Sequence, residues 1–405
     1  MSITRQRDLR TGLPVWLLSR RKHIATAPMK ASVKVDVAVI GGGVSGALVT
    51  DAILETGKTV AVFDRRGFTK GSTPASTALL QFEIDEPLIH LIDKIGRERA
   101  VRAYWASATA IDYLAARVSD LALSCGFRER CAVLLPGNIL NARELRAEAA
   151  ARSRVGLRSR FVDGAELRKL TTLDAAGAIW SAGAADVDPV ALTDGLWRSA
   201  LKRGATLYAP AEVTAVEPHR DFVTLSAKDG FDIRARHVVF ATGYELLKLL
   251  EGTKHKISST WVIATKPQPR KLWPTQCSIW EAADPYMYIR TTADGRVVAG
   301  GEDEDFSDED HRDALLPAKT LALQRKLHKL LPHLDTTPDA AWTGSFGVSP
   351  DGLPAIGPIP RLNRCFAVMG FGGNGITFSA IAAKIIQRSL LGIPDASGEL
   401  FPFFK

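Results

Sequence analysis

Three glycines spaced G-x-G-x-x-G, at Gly41, Gly43 and Gly46, are followed by an acid at Asp64. In such a set the first glycine makes a tight turn and the second lets a pyrophosphate approach the backbone. The third lets a helix pack closely on a strand. A helix opening at that turn would aim its N-terminus at phosphates. Asp64, 18 residues past Gly46, would accept hydrogen bonds from an adenosine ribose. The same spacing recurs at Gly370, Gly372 and Gly375. Residues 396–405 are too short to build a second strand after it, so that turn has another task. Its free amides and helix dipole, on Gly372, Gly373, Asn374, Gly375, Ile376 and Thr377, would stabilise negative charge. A third group, Tyr286, Tyr288 and Arg290, alternates with period two, which puts two phenols and a guanidinium on one face of a strand. An exposed sheet face has the same pattern.

The elements around these residues read as follows. Residues 35–40, VDVAVI, have the continuous apolarity of a strand buried on both faces, a helix runs to about 55, and 59–64, TVAVFD, is a second strand. Strand, glycine turn, helix and strand within about 30 residues form the βαβ unit of a doubly wound sheet. Helical spacing covers 87–123, 141–155, 189–202, 315–331 and 377–391. Strand-like runs fall at 131–135, 206–208, 211–217, 222–227, 231–241 and across 257–301, and 302–313 is an acidic loop. The expected fold class is α/β with an α+β substrate part: a Rossmann-like nucleotide domain from 35–85, 186–250 and 340–405. An antiparallel-sheet substrate domain would come from 86–185 and 251–339, after a basic arm at 1–34.

Bulk properties exclude several classes. Of a net charge of +8, +7 sits in residues 1–34, where eight lysines and arginines face Asp8 alone. The body is therefore near neutral and offers no nucleic-acid surface. The leader reads as a solvated arm, with a docking surface for a partner subunit or a homo-oligomer contact as the alternative. Arg20-Arg21 has no apolar run behind it, so a signal peptide is not expected. The longest charge-free stretch, 365–383, holds four glycines and would span a bilayer poorly. A cytoplasmic protein is expected. The cysteines at 125, 131, 277 and 365 form no C-x-x-C pair, and the eight histidines show no ligand spacing, so neither disulfides nor a metal are expected.

Four motifs, in order, resemble the D-amino-acid oxidase, glycine oxidase and sarcosine oxidase family of flavoproteins, from about residue 36 to 391. They are the G-x-G-x-x-G turn, Gly71-Ser72-Thr73-Pro74-Ala75-Ser76-Thr77, Ala241-Thr242-Gly243, and Asp351 to Gly357 followed by the turn at Gly370 to Thr377. The resemblance implies dissociable FAD, because Cys365 sits in no motif for covalent attachment. It implies cofactor contacts at Val44, Ser45, Arg65, Ser72, Thr73, Ser76, Thr77, Leu79, Val213 and Gly344. It also implies that the C-terminal turn faces the flavin N1 and O2.

By the same resemblance the activity is oxidation of an amine or amino acid by hydride transfer to the flavin, with the imine then hydrolysed. Substrate contacts are expected from Tyr286, Tyr288, Arg290, Trp261 and Gln81, with Glu281 and Glu83 nearby. One departure stands out: two residues past Trp342-Thr343-Gly344, where glycine oxidase has a carboxylate-binding arginine, this chain has Phe346. A simple amino acid is thereby disfavoured unless Arg290 supplies the charge. The strand 296–300 also lacks the lysine that assists oxygen, which leans toward another electron acceptor. Two other readings stay open, an NAD-dependent dehydrogenase and a flavin-binding subunit without turnover.

Overall fold

A computed structural model describes residues 2–19, 23–250, 255–395 and 397–403. Arg20-Arg21 lies outside the described residues. The chain forms two large sheets. The first runs Ala355–Pro358, Cys365–Met369, Asp232–Phe240, Val33–Ile40, Val60–Phe63, Thr206–Tyr208, with the strands Val213–Pro218 and Val223–Ala227 joined to Asp232–Phe240. Its central strands are parallel, and Val37, Ala38 and Val39 are fully buried between them. Burial on both faces is why 35–40 reads as unbroken apolar sequence. The helix Val44–Leu54 is buried along most of its length, covered by Gly375–Leu390 and Pro189–Lys202.

The second sheet runs Pro338–Val348, Lys256–Thr265, Val297–Glu304, Met287–Thr291, Ser278–Glu281, Arg128–Leu135, Gly177–Asp186, Leu79–Leu80, with Ser159–Asp163 beside Gly177–Asp186. It is antiparallel except where Ser278–Glu281 meets Arg128–Leu135. Leu323 and Leu327 of the helix Leu316–Leu330 close its far face. The strand Pro338–Val348 spans the expected boundary at 340 and pairs wholly within this sheet.

Several elements differ from the sequence reading. The helical stretch 87–123 breaks into Leu88–Ile95 and Arg97–Asp120, because Gly96 takes φ +84°. The acidic loop contains the short helix Glu309–Ala314, capped by the Asp308 carboxylate accepting from His311 N–H. The strand Gly177–Asp186 went unread because its run of glycine and alanine has little strand propensity.

The leader is the largest correction. Leu9, Val15, Trp16, Ile24 and Met29 are buried, and bridges tie Thr4 to Leu247, Gly12 to Trp342 and Ala27 to Tyr208. Its described residues are a strap across both sheets rather than a solvated arm.

Candidate functional site

One cavity of about 860 Å³ lies between the two sheets. That is within the range of small-molecule sites. The cavity begins at the glycine turn, where three backbones meet. A Cβ on Gly46 would stand 2.0 Å from the Gly41 carbonyl oxygen, and one on Gly41 2.2 Å from that of Ala241. Neither can carry a side chain, so Gly46 lies behind the wall while Gly41, Gly43, Val44 and Ser45 line it. At Gly43 an added Cβ would meet only the Thr73 hydroxyl, at 3.2 Å, which leaves the cavity side open for a phosphate.

Asp64 lines the cavity, but its carboxylate is largely spent on the chain itself. It accepts from Gly42, Arg66 and Gly67 N–H, each at 2.7 Å. Burial pushes its carboxyl up, and those three amides pull the other way. Bonding the turn to the end of the strand Val60–Phe63 is thus its main work, with acceptor capacity left for a ribose hydroxyl. Beside it Glu245 holds Arg65 and Arg66 together, and the Arg7 N–H donates to the same carboxylate at 2.7 Å. Ser2, Ile3, Thr4 and Leu9 of the strap line this end, which nothing in the sequence signalled.

The middle of the cavity is bounded by Ser72, Thr73, Ser76, Thr77 and Leu79 on one side and by Val213, Ala241, Thr242, Gly243 and Gly344 on others. The 75–78 backbone is gripped from behind. The Trp16 indole donates to Ser76 O at 2.9 Å, the Trp342 indole to Ala75 O at 3.0 Å, and Arg290 to Thr77 O and Ala78 O at 2.8 and 2.9 Å.

That grip corrects the role of Arg290. Its side chain is buried, it also donates to Val187 O and Thr291 O, and it does not line the cavity. Alternation does put it on the tyrosine face, but the 77–78 backbone covers that end of the strand. Trp261 is likewise behind the wall. On the strand Lys256–Thr265, Ser258 and Thr260 face the cavity, so Trp261 points into the core and donates to Arg312 O at 3.1 Å.

Tyr286, Tyr288 and Gln81 do line the cavity. Tyr288 lies across Gly300, where a Cβ would stand 2.3 Å from the phenol oxygen. Burial holds both phenols well above the ordinary tyrosine range. Phe346 is on the same wall, together with Trp280, Glu281, Tyr244, Asp85 and Asp303, of which only Glu281 had been singled out.

The C-terminal turn reaches the cavity through Gly372, Gly373, Asn374, Gly375 and Ile376, while Thr377 is buried behind it. Two of its amides are not free: Gly372 N–H donates to Gly347 O and Gly373 N–H to the Asp85 carboxylate, both at 2.8 Å. The Asn374 amide group donates to Glu83 O, tying the turn to the 81–85 segment. The helix Gly375–Leu390 also begins two residues earlier than its pattern suggests, so its dipole end is at the wall itself.

A parallel-sheet glycine turn, an acid at the next strand and a second glycine corner on the same elongated cavity define a dinucleotide-dependent oxidoreductase. The family model for FAD-dependent oxidoreductases matches residues 36–388, and the chain belongs to that family. FAD is therefore its cofactor, which sets the NAD reading aside. The residues fit it: the phosphate cradle is open, and no cysteine lines the cavity among the described residues, consistent with non-covalent binding.

The oxidoreductase OrdL of Haemophilus influenzae is 22% identical over 92% of this chain and 87% of its own length. Gamma-glutamylputrescine oxidoreductase of Escherichia coli is 23% identical over 92% and 88%. The crystal structure of glycine oxidase from Geobacillus kaustophilus matches with a TM-score of 0.74 at 20% identity, covering 90% of this chain and 96% of that one. None of the described helices is long and apolar enough to cross a membrane.

Proposed function

We propose that this protein oxidises the carbon–nitrogen bond of an amine or amino acid. The observation that carries this reading is the continuity of the cavity, from the open cradle at Gly43 to a wall with Tyr286, Tyr288 and Gln81. Relatives named for an amine and for an amino acid support it.

FAD bound in this cavity would supply a two-electron acceptor for the hydride leaving carbon, as nitrogen gives up a proton and water converts the imine to a carbonyl compound and a free amine. The chain's own task is to hold the substrate carbon in place and keep water away. Tyr286 and Tyr288 stay protonated at ordinary pH, so they orient the substrate by hydrogen bonding and do not take its proton. Arg290, Trp16 and Trp342 fix the 75–78 backbone on which the cofactor's middle would rest.

The test is anaerobic mixing of the purified holoprotein with a panel of amines and amino acids while the flavin's visible absorbance is followed. At least one should bleach it. A bound flavin that none of them reduces would reject an enzyme of this class and favour the subunit without turnover.

A further inference from the structure

The substrate end of the cavity carries an unbalanced negative charge. Asp85, Glu281 and Asp303 line it, and among the described residues no lysine or arginine forms a salt bridge with any of them. Asp85 is held by one backbone amide, Gly373, and Glu281 by another, Met287 at 3.0 Å. Neither oxygen of Asp303 has a hydrogen bond of normal geometry, although the Thr260 hydroxyl and the Tyr286 phenol face it, and both oxygens are sealed from bulk water. Gln81 adds an acceptor: its side chain is buried, it lines the cavity and its Oε1 has no partner.

Among the described residues the nearby cations are paired with other acids, Lys326 with Glu302 among them. Lys256, the lysine on this wall, is 3.2 Å from Asp305, and Lys319 is 2.6 Å from Glu304. Arg65 and Arg66 are at the nucleotide end on Glu245, and the donors of Arg290 are spent on carbonyls outside the cavity.

Resting on the reading of this cavity as the site of C–N oxidation, we propose that its substrate is a cation without a carboxylate: an alkyl diamine or a related amine with a second ammonium group. A carboxylate brought against Asp85, Glu281 and Asp303 would find no cation and would add a like charge in a medium of low polarity. A second ammonium would instead relieve the cost of leaving those carboxylates unpaired. Burial raises all three carboxyls, and nearby carboxylates add to the effect, Glu86 on Asp85, Glu302 on Glu281 and Asp85 on Asp303. Lys326 pulls Glu281 down and Lys319 pulls Asp303 down, but neither lysine is within ion-pair distance of them and burial outweighs both.

The experiment is anaerobic stopped-flow reduction of the holoprotein's flavin by 1,4-diaminobutane, butylamine, glycine, N-methylglycine and D-alanine. The diamine should reduce it at the lowest concentration, and added salt should raise that concentration. Asp303→Asn and Glu281→Gln should each weaken the diamine about 10- to 100-fold, the size of a lost charged hydrogen bond, with flavin still bound. Weaker binding of butylamine should change less in both variants. If glycine, N-methylglycine or D-alanine is the preferred reductant, the inference is overturned while C–N oxidation stands. If none of the probes and no other amine or amino acid bleaches the flavin, both fall. Retained flavin absorbance in each variant reports that it has folded.

Discussion

At the scale of single residues, Asp303 and Arg290 show how burial decides what a charge does. Burial pushes the Asp303 carboxyl up to about 6, helped by the charge of Asp85, while Thr260, Tyr286 and Lys319 pull it down. A folded value above the unfolded one means that the folded state binds the proton more tightly. The associated stability is fully present below about pH 4 and is lost as pH rises through about 6. Asp303→Asn should therefore stabilise the protein by roughly 1–3 kcal/mol at pH 8 and by little at pH 4. Thermal unfolding of the two proteins across that range checks this, and an equal difference at both ends would contradict it. Arg290 has the opposite character. Its charge is matched by four carbonyls and by Asp186 at 3.7 Å, and it builds the wall without entering the cavity.

At the scale of elements, the glycine turn separates two demands that look alike in the sequence. Gly46 must be glycine because a Cβ would run into the backbone at Gly41, where no side-chain motion can make room. Gly43 faces the cavity, where a Cβ meets a hydroxyl at 3.2 Å. Gly46→Ala should thus push the helix Val44–Leu54 off its strand and cost at least the ~1–3 kcal/mol typical of overpacking, lowering soluble yield with or without FAD. Gly43→Ala should fold with a melting temperature within a few degrees of the parent but bind FAD about 10- to 100-fold more weakly, because the phosphate approach is narrowed. Titration of apoprotein with FAD separates the two, and equal FAD affinity in Gly43→Ala would show that the phosphates lie elsewhere.

At the scale of the molecule, the strap formed by the N-terminal residues joins the two sheets at the nucleotide end. Arg66 donates to Arg7 O, Asp8 N–H donates to Glu309, Arg312 donates to Asp8 O, and the Thr11 hydroxyl donates to Asp313. Ser2, Ile3, Thr4 and Leu9 close the cavity there. Deleting residues through Leu9 spares the Val15 and Trp16 core but opens this end to water. FAD affinity should fall by about 10- to 100-fold, as expected when a ligand loses part of its enclosure. Equilibrium dialysis against FAD measures it, and an unchanged dissociation constant would make the strap merely a fastening. No local pattern hints at this closure, because Leu9, Val15, Trp16, Ile24 and Met29 follow no period and are outnumbered by cations.

The sequence alone determined the βαβ unit, the glycine cradle and the family, because each depends on residues within about 30 positions of one another or on short motifs. The tyrosine face was also legible, since alternation along one strand is local. Which charged side chains enter the cavity was decided only by tertiary structure. Arg290 meets a carbonyl 213 residues away, the Trp342 indole one 267 away, and the Arg7 N–H a carboxylate 238 away. Asp303, read as part of an acidic loop, became a wall residue when its strand paired beside Tyr286 and Tyr288. Periodicity tells which face of an element a residue occupies. What covers that face depends on chain segments hundreds of residues away, and no local pattern encodes them.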